Sequence, residues 1–87
     1  MKVVAINKLT EAQSKYPAAQ DYLKGWYQIV SRGDFSSEED LRATFGDMRG
    51  FNVAFRFPIP KTTLLVHTLI DFKAQVALIE DIKPGNH

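Results

Sequence analysis

Between Phe51 and Ile82 the chain carries three runs of β-branched and aromatic residues separated by short breaks. Such a stretch forces a sheet on the fold and makes that sheet the surface on which everything earlier must pack. In Phe51-Asn52-Val53-Ala54-Phe55-Arg56-Phe57, alternate side chains project to opposite faces. The pattern predicts a half-buried strand with Phe51, Val53, Phe55 and Phe57 inward and Asn52 and Arg56 outward. Pro58-Ile59-Pro60 removes two backbone donors, so pairing must lapse there. From Thr62 to Phe72 both faces are largely apolar, with Leu64, Val66, Ile70 and Phe72 on one and Leu65, His67, Leu69 and Asp71 on the other, which suits a central strand. After a break at Lys73-Ala74, the run Gln75 to Ile82 reads as its antiparallel hairpin partner.

The first half reads as helical. Val3 to Ile6 is a short apolar run, either an edge strand or a segment laid on the sheet. Asn7 and Thr10 are both suitable N-caps for a short helix with Leu9, Ala12 and Tyr16 on one face. Pro17 ends it. From Ala19 apolar residues recur at three- and four-residue steps through Tyr22, Leu23, Trp26, Ile29 and Val30, predicting the principal helix, closed by Arg32 and a left-handed Gly33. Gly25, mid-helix, implies close packing against a neighbour. Ser36 and Glu39 have capping-box spacing and open a brief helix through Leu41 and Phe45, with the acids Glu38-Glu39-Asp40 in its first turn. Residues 46–50 then form the loop into the sheet. The expected class is α+β, with N-terminal helices packed on a small, mainly antiparallel sheet, all 87 residues forming a single domain.

Composition narrows the function classes. Cysteine is absent, which excludes disulfides and thiolate metal sites, and two His residues twenty apart give no metal-ligand spacing. No Gly-rich phosphate cradle or nucleophile elbow is present. No cofactor is expected. Met1 to Asn7 is too short for a signal core and no run reaches membrane-spanning length, so the expectation is a cytoplasmic protein without a membrane partner. With a formal net charge of +1, any nucleic-acid contact must come from a local basic patch.

Tyr16-Pro17 followed by Ala19, Leu23 and Trp26, then Phe35, Asp40-Leu41 and Phe45, resembles the helix-Trp-helix pattern of the HigB-type toxins, a branch of the RelE/ParE toxin superfamily. Val53 to Phe57 is similar to that family's first long strand and Phe72 to Ile79 to its last hairpin, so the resemblance spans nearly the whole chain. It implies ribosome-dependent mRNA cleavage, countered by a helix-turn-helix antitoxin. The family's Lys in the loop after the first long strand is kept at Lys61, whereas its neighbouring Arg is replaced here by Thr63 and a later Arg by Glu80. His87 stands two positions beyond the family's C-terminal His.

RNA cleavage on such a fold requires a base for the 2′-hydroxyl, a cation for the phosphorane and a proton for the leaving oxygen. Arg56, on the polar face of its strand, and Lys61, on the following loop, are the candidate phosphate-neutralising groups, and His67 is the candidate acid or base. Arg49 and Lys61 are candidate RNA-binding cations. Each also has a plainer reading, as a solvated strand face, an exposed loop cation or a half-buried imidazole. A catalytically degenerate, protein-binding version of the same fold is the alternative, favoured by negative charge at Glu80-Asp81.

Overall fold

A computed structural model describes residues 1–85, apart from the side chain of Phe51, and His87 lies outside the described residues. The chain runs β1 (Lys2–Val4), α1 (Ile6–Lys15), a 3-10 turn (Pro17–Ala19), α2 (Gln20–Arg32), α3 (Glu38–Thr44), β2 (Arg49–Phe51), β3 (Ala54–Pro58), β4 (Leu64–Asp71) and β5 (Val76–Pro84). The five strands lie in the order β1-β5-β4-β3-β2, antiparallel except where β1 runs parallel to β5. The fold is α+β, with three helices on one face of a mostly antiparallel sheet.

Alternation decides which sheet face the helices cover. Phe55 and Phe57 of β3, Val66, Thr68 and Ile70 of β4, and Ala77, Ile79 and Ile82 of β5 are all buried toward the helices. Against them α2 lays Leu23, Trp26 and Val30, α1 Leu9 and Ala12, and α3 Leu41. At the centre Trp26 meets the Phe57 ring edge-on at 5.4 Å, and Phe45 does so at 5.1 Å. Thr68, a buried polar residue of this face, is satisfied by donating its hydroxyl to the Phe55 carbonyl at 2.9 Å. Tyr22 packs at the edge of this core, where burial, and secondarily the charge of Asp47, push its phenol up to about 12.

The helix ends depart from the expected caps for local reasons. Helix α1 starts at Ile6, one residue before Asn7, with Ala5 at φ 68° and no side-chain cap. The chain leaves β1 after Val4 and must turn onto the sheet face within one residue, and that left-handed step replaces a cap. Helix α3 is capped by Ser37 rather than Ser36, its hydroxyl accepting from the Asp40 amide at 3.3 Å, and its last helical residue is Thr44, with Phe45 at the C-cap. The Asp40 carboxylate accepts from the Ser36 hydroxyl and amide, and these bonds hold it below the usual carboxylate range. Gly33 is extended, at φ −85°, and not left-handed. Glycine is needed there because a Cβ would stand 2.4 Å from the Phe35 ring.

Gly25 is a further correction, since a Cβ at that position would meet nothing within 4 Å. No neighbour requires the glycine, so only its cost to the helix remains. Gly25→Ala is expected to stabilise the protein by about 0.5–1 kcal/mol, read as a thermal midpoint several degrees higher.

The first long strand predicted from the sequence is in fact a hairpin. Residues 49–51 pair with 54–56, and Asn52, at φ 61°, turns the chain between them, leaving Val53 54% exposed instead of inward. Gly50 lies at φ +105°, and a Cβ there would fall 2.1 Å from the Ala54 carbonyl oxygen, so this turn excludes every other residue at position 50. The β4–β5 connection is also longer than expected. Asp71 pairs with Val76 around the four residues 72–75, Gln75 takes φ 58°, and the Asp71 carboxylate accepts from the Lys73 and Ala74 amides, both at 3.0 Å.

Candidate functional site

Residues paired across neighbouring strands project to the same face, so register alone builds a row of polar groups on the helix-free side. Arg49 pairs with Arg56, Arg56 with His67, and His67 with Asp81. The next outward-facing rung is apolar, with Ala54 beside Leu69 and Leu69 beside Leu78. The structure therefore brings Arg56, His67 and Arg49 into one line, which the sequence could not do without the register. A cleft of about 390 Å³ opens along this line, between the hairpin residues Gly50, Asn52 and Val53 on one side and Arg56, His67 and Glu80 on the other.

Lys61 is placed elsewhere. It sits exposed in the β3–β4 turn at φ 64°, beyond the Pro58–Leu65 pair, and does not line the cleft. Its neighbours Thr62 and Thr63 line a separate hollow of about 400 Å³ with Tyr16 and Pro84. Leu65, at the same end of the outer face, is buried beneath the chain end, where Gly85 donates its amide to the Thr63 carbonyl at 2.9 Å.

Two side chains unremarked in the sequence, Arg42 and Lys8, hold the site, and a third residue, Glu80, is placed in it by a backbone irregularity. Arg42 of α3 pairs with Glu38 at 2.9 Å and donates to the carbonyls of Met48 and Gly50 at 2.7 and 2.8 Å, which ties down the edge strand that carries Arg49. Glu80 is the extra residue of a β-bulge, since His67 faces Asp81 while Thr68 faces Ile79. A bulge leaves backbone groups outside the ladder, and the ammonium of Lys8 on α1 donates to the Glu80 carbonyl. The spacing Ile79-Glu80-Asp81-Ile82 was the available signal, because two polar residues between inward apolar ones break a period of two.

His67 is half-buried in the middle of the row and its Nε2 has no hydrogen-bond partner among the described residues. Burial, then the cations Lys83 and Arg56, hold its pKa below the ordinary imidazole range, with Asp81 and Glu80 opposing. At neutral pH it is therefore the uncharged, proton-accepting form. The unfolded chain takes this proton near the ordinary value of about 6.5, the folded protein only at lower pH. Stability attributable to His67 is accordingly full above that ordinary value and is lost as pH falls through the folded pKa. His67→Gln is expected to flatten the acid side of a denaturation-midpoint profile, read by circular dichroism between pH 7.5 and pH 5.

The side chains of Arg56 and Lys61 make no hydrogen bond or ion pair with any described residue. No cluster of three or more His, Asp or Glu able to hold a metal occurs among the described residues, and no described helix is long and apolar enough to cross a membrane. Neither a family model nor a curated protein gives a significant match to the chain.

Proposed function

We propose that the helix-free sheet face binds single-stranded RNA and cleaves it, and that the protein is an mRNA endoribonuclease of the HigB type, acting on ribosome-bound mRNA in the cytoplasm and countered by a helix-turn-helix antitoxin. The observation that carries this reading is the register pair Arg56–His67, a partner-free cation beside an uncharged imidazole in an open cleft. Neutral His67 takes the 2′-hydroxyl proton on Nδ1, its Nε2 being buried, the 2′-oxygen attacks the adjacent phosphorus, and the bond from phosphorus to the 5′-oxygen breaks. Arg56 bears the charge of the phosphorane, and the leaving 5′-oxygen takes its proton from solvent in the open cleft. Arg49 extends the positive row toward the sheet edge, and Lys61 contacts backbone phosphate farther along the strand. Induced expression in a bacterium with transcript mapping tests the reading: growth arrest with new mRNA ends is expected, and unimpaired growth with intact transcripts and soluble protein contradicts it.

A second reading is a non-catalytic binding module, favoured by the carboxylates of Glu80 and Asp81 beside the same cations. It predicts that the protein still captures a partner when His67 is replaced, with no RNA cut by the wild type.

A further inference from the structure

Two acids stand together on the β5 bulge, and they are not equivalent. The Asp81 carboxylate is engaged, accepting from the Ile82 amide at 2.8 Å, whereas the Glu80 carboxylate lines the cleft with no hydrogen bond or ion pair to any described residue. The bulge that aims Glu80 there is held from behind by Lys8 on its carbonyl. The cleft thus presents a partner-free anion and a partner-free cation, Glu80 and Arg56, on either side of His67, too far apart to pair. A ligand that satisfies both carries an anion at one end and donors only at the other. A carboxylate accepts through two oxygens and cannot donate, so it repels a phosphate but fits the edge of a base that offers two adjacent N–H groups. Among the four RNA bases only guanine does so, through N1–H and the N2 amino group. Cytosine, adenine and uracil each present one donor next to acceptors, which a carboxylate repels.

We propose that Glu80 is the base-reading residue of the cleft and that it selects guanine, the Ala54–Leu69 surface lying under the base and Arg56 meeting its phosphate. This rests on the RNA reading above and adds the base to it.

The test is titration of the full-length protein with 3′-GMP, 3′-AMP, 3′-CMP and 3′-UMP, followed by amide chemical shifts, in wild type and Glu80→Gln. Glu80 is exposed, so the variant keeps the fold. The expected result is that 3′-GMP binds about ten- to a hundredfold more tightly than the other three, with shifts at Glu80 and His67. In Glu80→Gln, whose amide offers a single acceptor, that preference should shrink to about twofold while 3′-AMP affinity is kept. Equal binding of all four nucleotides, or a guanine preference that survives Glu80→Gln, overturns the base assignment and leaves the RNA reading in place. Binding of none overturns both.

Discussion

Trp26→Ala is expected to cost about 3–5 kcal/mol, among the largest losses that truncation of a single core side chain produces. The indole is 1% exposed at the point where α2 crosses the sheet, and it is the edge partner of Phe57, which in turn holds Phe45 after α3. Removing it opens a cavity that three elements border and that a domain of this size cannot close by relaxation. Against a total of about 4–13 kcal/mol for 87 residues, the loss removes a large part of the stability and lowers the thermal midpoint by roughly 15–30 °C. Trp26→Phe separates packing from polarity. The Trp26 Nε1 has no hydrogen-bond partner among the described residues, so phenylalanine gives up part of the volume but also removes an unsatisfied buried donor. Its expected cost is about 1–2 kcal/mol. Because this is the only tryptophan, both variants are read by far-UV circular dichroism instead of fluorescence. A loss below about 1 kcal/mol in Trp26→Ala would place the centre of the core elsewhere.

The second large effect concerns chemistry. His67→Ala is expected to lower the rate of RNA cleavage by about 10²–10⁴-fold, the usual contribution of a positioned base. It should leave the fold intact, since His67 lies on the helix-free face and outside the core cluster. The direction of the His67 pKa gives the effect a pH signature. The base is competent only when uncharged, so the wild-type rate is level near neutrality and falls as pH drops through the lowered folded value, whereas the residual rate of His67→Ala lacks that step. Arg56→Ala, which leaves the base in place, should slow cleavage without removing the step. A purely structural His67 would change the midpoint of unfolding and not the pH profile of the rate.

The layers of this fold were legible because hydrophobic period and burial agree. Leu23, Trp26 and Val30 recur at helical steps, Val66 and Ile70 alternate along the central strand, and both sets meet in one core. What escaped were single residues whose backbone conformation overrides the pattern. Asn52 interrupts a perfect alternation from Phe51 to Phe57 with one left-handed step, so Val53 faces solvent and residues read as loop become the edge strand bearing Arg49. Ala5 and Gln75 do the same at the entrance to α1 and the end of the last hairpin, and neither is a residue type that announces a positive φ. The candidate site was legible as residue types but not as a place. Arg56 and His67 meet only through the β3–β4 register, which depends on how the proline-rich turn closes, and Glu80 enters the cleft only through a bulge in β5. Lys61, singled out by the family resemblance and not by any pattern of the strands, stays outside the cleft because its loop closes the opposite end of β3.

The measurement closest to the central claim is end mapping of a defined mRNA incubated with the purified protein and translating ribosomes. Wild-type protein is predicted to leave 2′,3′-cyclic or 3′-phosphate ends at discrete positions, with cleavage strongly reduced in Arg56→Ala and His67→Ala. An intact transcript, ends bearing 3′-hydroxyls, or cutting by both variants at the wild-type rate would contradict the assignment of the Arg56–His67 cleft as the site of RNA cleavage.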